Sequence, residues 1–281
     1  MKKLPLTASQ RHVLGRLEAL AALYFSGERI AGVLPRTSAV IIGESGTGKS
    51  FLVAHLGERL KLKVLKVTVG DWMVAGGRTD PCTLETIRQW LTTGERFILH
   101  VDELDKVRDQ STAWGLAMLT EMFGLLDRRV SYRGNAKEPW GATHDRALAE
   151  RVFIVGSGAW QSLWPEQAPR RIGFVFAPPE PKSGAATDIV RRVREARVIP
   201  DELFNRVSAE WLVLEPYTAE DFRGIAHGLQ LSTEEFDATE AAASGLNFRY
   251  VEAALTKIAL ARRAREAAAA SQGVLFPPET V

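Results

Sequence analysis

Thiol chemistry is almost missing from this chain. Cys82 is the single cysteine among 281 residues, which excludes an intrachain disulfide and a multi-cysteine metal site and suits a reducing compartment. No window approaches the roughly 18 uninterrupted apolar residues of a membrane-spanning helix. The start, Met1-Lys2-Lys3-Leu4-Pro5, has no apolar core of signal-peptide length. These absences lead to the expectation of a cytoplasmic protein with no membrane association. An excess of one charge is lacking too: 36 Lys+Arg face 34 Asp+Glu. That excludes a global electrostatic footprint for nucleic acid and leaves only local basic patches. No internal repeat is found. The 46% hydrophobic and 25% charged residues are ordinary for a globular protein, and the length fits one large domain plus a small one.

Against this plain background one stretch stands out. Gly43-Glu44-Ser45-Gly46-Thr47-Gly48-Lys49-Ser50 fits the phosphate-loop pattern G-x-x-x-x-G-K-[ST] at every fixed position. The apolar run Ala39-Val40-Ile41-Ile42 leads in, and Phe51 to Leu56 leads out with helical spacing. Glycines at these places let backbone N–H groups curl inward around phosphate oxygens, and the helix N-terminus adds positive potential. Lys49 is expected on the β- and γ-phosphates and Ser50 on Mg²⁺, making ATP and Mg²⁺ the expected cofactors.

The rest of the chain alternates strands and helices. Residues 8–25 read as an amphipathic helix, and 61–69 as a strand. Thr83 is the expected cap of a helix from Leu84 to Leu91. Phe97-Ile98-Leu99-His100-Val101 is a short buried strand, and a helix is expected from Ser111 to Arg129 with Leu116, Leu119, Met122, Phe123 and Leu126 on its inner face. Ser131 to Asp145 reads as an exposed loop. Arg151 to Val155 reads as a strand stopped by Gly156-Ser157-Gly158, and 165–184 as a long Pro- and Gly-containing loop. Helices at Asp188–Arg197 and Asp201–Val207 precede a last strand, Trp211–Leu214. This order implies a doubly wound α/β parallel sheet with nucleotide at the carboxyl ends of its strands. Beyond Glu215-Pro216 only helical patterns follow: Ala219–Leu229, Thr233–Ala243, and Phe248 to about Ala270. The expected organisation is a nucleotide-binding domain at 1–215, a small all-α lid at 216–272 and a tail at 273–281.

The strand at 97–101 ends in Asp102-Glu103. A carboxylate pair there sets Asp102 toward the metal and Glu103 toward the attacking water. His100, in mid-strand, reads as a packed core histidine.

These residues resemble a known family. Phe97 to Lys106, ending Val-Asp-Glu-Leu-Asp-Lys, is similar to the Walker B segment of AAA+ ATPases, in particular the Clp/HslU unfoldase branch with its ClpX-like members. The order of features between about 10 and 262 follows the same family. Arg11 to Gly15 resembles its adenine-side segment, which implies that His12 and Val13 flank the base. Val152 to Trp160 resembles the sensor-1 strand, implying Ser157 at the γ-phosphate. Val198 to Arg206 resembles the Pro-Glu-Phe-x-x-Arg segment, implying that Arg206 is an arginine finger offered to a neighbour. Arg249 stands where a sensor-2 arginine is expected, although the family's Gly-Ala-Arg is not reproduced. The resemblance implies a homo-oligomeric ring, usually of six subunits, that hydrolyses ATP with Glu103, Lys49 and Arg206 in catalysis and remodels or unfolds a protein partner.

Two departures bear on the output. The pore-gripping aromatic–hydrophobic–Gly triplet reads Val74-Ala75-Gly76, with Trp72 supplying an aromatic slightly early, either as a gripping residue or packed against the sheet. Ile172-Gly173-Phe174 matches a tripeptide of the family's peptidase-docking loop, and an apolar hairpin accounts for it equally. The basic run Arg191 to Arg197 could meet a DNA backbone, although a solvated face or an intersubunit contact is the commoner use of such a run. The alternative to remodelling is therefore an ATP-controlled switch assembling on DNA or on a partner complex, as in transposition or defence ATPases.

Overall fold

The computed structural model describes residues 5–75, 81–107, 112–131, 140–164, 185–207 and 210–272. The chain forms two compact units: Ala8–Glu215, and Pro216–Val281 together with Met1–Thr7. The tripeptide Ile172-Gly173-Phe174 lies outside the described residues.

In the first unit, strand β1 (Ala39–Gly43) leads through the phosphate loop into helix α2 (Lys49–Leu60), and β2 (Lys63–Thr68) returns. Helix α3 (Thr83–Thr92) precedes β3 (Phe97–Asp102), and α4 (Ala113–Leu126) and α5 (Ala142–Arg151) precede β4 (Val152–Gly158). Helices α6 (Ala185–Glu195) and α7 (Asp201–Val207) lead to β5 (Glu210–Leu214), while α1 (Ala8–Ser26) precedes β1. The sheet runs β2-β3-β4-β1-β5, every pairing parallel. Crossover helices cover a parallel sheet on both faces, so its central strands read as continuous apolar runs. Strands β1, β3 and β4 are buried at every position. This is the expected α/β P-loop architecture, and it sets the carboxyl ends of β1, β3 and β4 side by side.

Several local expectations are corrected. Cys82, not Thr83, is the N-cap of α3. The Thr83 hydroxyl instead accepts from the Met73 N–H at 2.9 Å, and the Thr83 N–H donates to the Met73 carbonyl at 3.0 Å, tying α3 to the loop after β2. Helix α4 begins at Ala113, because the Thr112 hydroxyl caps the Gly115 N–H at 3.0 Å. Its buried face is Gly115, Met118, Leu119, Met122 and Leu125, leaving Leu116 exposed. Helix α5 occupies part of the expected loop at 131–145. Only Ala147 and Leu148 of this polar helix are buried, so it carries no apolar stripe to read.

Glycine does not stop β4. A Cβ at Gly156 would lie 2.5 Å from Leu104 Cδ1, and one at Gly158 would lie 2.5 Å from the Trp160 ring. Both glycines lie within β4 and mark close packing against it.

The second unit comprises α8 (Ala219–Leu229), α9 (Ala238–Ser244) and α10 (Phe248–Gln272) around Tyr217, Phe222, Ile225, Phe236, Ala241 and Val251. The helix expected over Thr233–Ala243 is shorter. Asp237 accepts from the Thr239 and Glu240 N–H groups and starts α9 afresh, while Ser232 and Glu235 close a separate turn. No helix among the described residues is long and apolar enough to cross a membrane.

Candidate active site

The phosphate loop is shaped by three glycines with distinct tasks. Gly46 and Gly48 take φ values of 84° and 91°, in the left-handed region that a side chain resists. Gly43 is required by space, because a Cβ there would lie 2.6 Å from the Thr47 hydroxyl. Thr47 is fully buried, and its hydroxyl donates to the Glu44 carbonyl at 2.9 Å. Glu44 is buried and Ser45 half-buried. The buried Gln10 amide of α1 donates to the Thr47 carbonyl at 3.0 Å, and Gln161, just after β4, accepts from the Ser45 N–H at 3.2 Å. Neither glutamine was found from the sequence, since a single amide carries no pattern.

Lys49 opens α2, and its ammonium donates to the carbonyls of Gly43 and Glu44 at 2.7 and 3.0 Å. The next residue, Ser50, donates its hydroxyl to Asp102 Oδ2 at 2.9 Å. The loop at the end of β1 and the carboxylate at the end of β3 are thus joined.

Asp102 is the hub. Oδ2 accepts from Ser50 and from the Lys66 ammonium at 2.7 Å; Oδ1 accepts from the Ser157 hydroxyl and from the Glu103 N–H at 2.9 Å. Burial pushes the Asp102 pKa up, but the hydrogen bonds from Lys66, Ser157 and Ser50 outweigh it and hold the carboxyl well below the usual range. An ionised Asp102 can only accept, so Ser157 donates to it. The Ser157 oxygen must then accept from the His100 Nε2–H, 2.8 Å away. Burial pushes the His100 imidazole down to about 4, with Asp102 opposing and Lys66 reinforcing. His100 is the core histidine that was expected, and it is also the end of a buried relay, His100 to Ser157 to Asp102. Ser157 is fully buried and its hydroxyl is engaged with these two partners.

Glu103 follows with φ 60°, a left-handed turn that ends the strand and carries its carboxylate outward. That carboxylate lies over Gly70, whose Cβ position is 3.5 Å from Glu103 Oε2. Asp105 Oδ1 accepts from the Ala159 N–H at 3.1 Å and fastens the turn after β3 to the end of β4.

The remaining expected residues sit on helices. Val13 is buried in α1, while His12 beside it is exposed. On α7, Arg206 donates to Asp127 Oδ2 at 2.9 Å and to the Glu202 carbonyl, and its guanidinium lies 4.8 Å from the Phe123 ring centroid. Arg249 is an exposed residue of α10, in the second unit.

Trp72 is not presented for gripping. It is 3% exposed, and its indole N–H donates to Glu121 at 2.8 Å, while the other Glu121 oxygen accepts from the Ala75 N–H at 2.7 Å. Of the basic run on α6, Arg191 pairs with Asp188 and Glu195, and Arg192 with Asp188.

Fold and site together define an α/β P-loop nucleotide-binding domain. Residues 39–173, from β1 past β4, match the profile of the ATPase family associated with various cellular activities (AAA). The match supports an AAA+ ATPase. No curated protein matches the chain.

The donor set suits Mg²⁺. Two hard oxygen groups converge, a hydroxyl on Ser50 and an ionised carboxylate on Asp102. Mg²⁺ takes one or two protein oxygens and completes its shell with phosphates and water.

Proposed function

We propose that this chain is a Mg²⁺-dependent ATPase whose active site is completed by a neighbouring copy in a homo-oligomeric ring, and that the resulting motion remodels a protein partner. One observation carries the reading. Lys49, Ser50, Asp102 and Glu103 gather at the carboxyl ends of β1 and β3, the strands on either side of β4, while Arg206 is held by Asp127 after α4 and by its own helix. We read the first four as the machinery for binding and water activation within one chain, and Arg206 as the finger offered to a neighbour.

In this mechanism Lys49 leaves the loop carbonyls for the β- and γ-phosphate oxygens, and the N–H groups of the loop and of the first turn of α2 hold the remaining phosphate charge. Ser50 and Asp102 would hold Mg²⁺, which would neutralise charge on the phosphates. Glu103, exposed at the strand end, orients the attacking water and takes its proton. Arg206 of one copy stabilises the charge of the transferring phosphoryl group on the next, an effect worth ~10³-fold or more in rate. Ser157 acts beside the γ-phosphate through Asp102, His12 and Val13 border the base, and Arg249 is kept as the candidate sensor-2 arginine.

A second reading is favoured by Trp72. Because its indole is buried and tied to Glu121, the loop after β2 presents no aromatic there for threading a chain. An ATP-controlled switch that assembles on DNA or on a partner complex needs no such grip. Stimulation of turnover by an unfolded protein supports remodelling, whereas stimulation by duplex DNA with assembly on it supports the switch.

The test of the shared site is a Glu103→Gln variant studied by nucleotide binding, ATPase assay and light scattering. It should bind ATP, fail to cleave it and accumulate as a defined oligomer. Hydrolysis at the wild-type rate would remove Glu103 from its role.

A further inference from the structure

Lys66 has no part in the site as the sequence presents it. It lies in β2, an edge strand, and edge strands commonly carry lysines that discourage unwanted pairing. Lys63 fits that use, extending to Glu95 at 2.6 Å with both side chains more than half exposed. Lys66 does not. It pairs with His100 across the ladder, so it shares a sheet face with His100 and, two residues on, Asp102. Its ammonium reaches Asp102 Oδ2 at 2.7 Å, the same oxygen that accepts from Ser50. The lysine side chain is 49% exposed and the aspartate side chain 11%, so the charge enters a buried carboxylate from solvent.

We propose that Lys66 is a positioning residue that neutralises Asp102 until Mg²⁺ takes over, and so sets how strongly nucleotide binding depends on the metal. The inference rests on the Mg·ATP reading of the site. Without a cation, an ionised Asp102 beside the loop repels the phosphates of ATP. Lys66 removes that repulsion while the metal is absent. When Mg²⁺ binds at Ser50 and Asp102, two cations compete for one carboxylate, and the half-exposed lysine swings out to water more readily than Ser50 and Asp102 can move. Lys66 therefore strengthens metal-free binding and weakens the site's hold on Mg²⁺. Both effects push the ratio of the two affinities in one direction.

The experiment measures ATP affinity by calorimetry on the full chain, in EDTA and across a Mg²⁺ titration, for wild type, Lys66→Met and Lys66→Arg. For Lys66→Met the ratio of dissociation constants, EDTA over saturating Mg²⁺, is expected to rise about tenfold or more, and the half-saturating Mg²⁺ concentration to fall. Lys66→Arg, which keeps the charge, should restore the wild-type ratio. A ratio within about twofold of wild type in Lys66→Met, or equal weakening in both conditions, overturns the proposal while leaving the nucleotide site intact. If Lys66→Met does not fold, a Lys66→Gln variant gives the same reading. Wild type that binds no ATP even with Mg²⁺ would remove the site and the inference together.

Discussion

Ser157→Ala tests whether the buried relay is a structural part of the site. Ser157 gives its proton to Asp102 Oδ1 and its lone pair to the His100 Nε2–H, with all three residues at 8% exposure or less. Alanine leaves the His100 donor unpaired at 1% exposure. An unsatisfied buried donor costs about 1–3 kcal/mol, and a lost hydrogen bond to a charged acceptor about 1.5–3 kcal/mol. Allowing for partial relaxation, a loss of roughly 2–4 kcal/mol follows, or a fall of roughly 5–10 °C in Tm for a unit of this size. The assay is thermal and urea unfolding of Ser157→Ala, His100→Leu and the double variant. His100→Leu removes the orphaned donor in advance, so the double variant should be more stable than the sum of the singles by about 1–2 kcal/mol. A hydroxyl that served only the γ-phosphate would leave Tm unchanged and slow hydrolysis alone. An unchanged Tm with additive singles would refute the relay.

Trp72→Ala should cost about 3–5 kcal/mol in urea unfolding, because it empties a core position, whereas Trp72→Phe should lose mainly the indole bond to Glu121; loss of substrate handling in Trp72→Ala at unchanged stability would contradict the buried assignment. Tyr24 accepts from the Val152 N–H at 3.0 Å and donates to the Ala149 carbonyl at 2.7 Å, and burial raises its pKa above 10.0. Raised in the fold, its stabilisation is complete below the unfolded value near 10 and is lost as pH climbs through the folded value, so Tyr24→Phe should flatten the alkaline fall in stability measured above pH 10. Arg206→Ala should leave ATP affinity near wild type and lower turnover by ~10³-fold. Its effect on stability should be within about 1 kcal/mol, since Arg206 and Asp127 are both about a third exposed.

Much of the fold was legible because parallel strands announce themselves. The fully buried β1, β3 and β4 are uninterrupted apolar runs, and the phosphate loop has fixed positions that only one backbone shape satisfies. The site's outline was legible for the same reason, since Asp102 and Glu103 end a buried strand. What escaped the sequence depends on neighbours distant along the chain. Gly156 and Gly158 look like strand breakers until Leu104 and Trp160 are seen lying against them. Lys66 looks like a solvated strand residue until β2 is placed beside β3. The bonds of Ser157 to His100 and Asp102 are hidden until β4 is placed beside β3. Trp72 could be read as exposed or buried, and Glu121 on α4 decides between the two. Helix α5 is polar enough to hide among loop residues.

The claim at the centre is that each nucleotide site is finished by a second copy. Glu103→Gln lacks the carboxylate proposed to activate water but keeps Arg206; Arg206→Ala lacks the proposed finger but keeps Glu103. Each alone should be nearly inactive. Mixed as purified chains and assayed for ATP hydrolysis, they should recover activity, because Glu103 of one and Arg206 of the other meet at some interfaces. Activity that stays at the level of the separate variants, despite their demonstrated co-assembly, would contradict a site shared between copies.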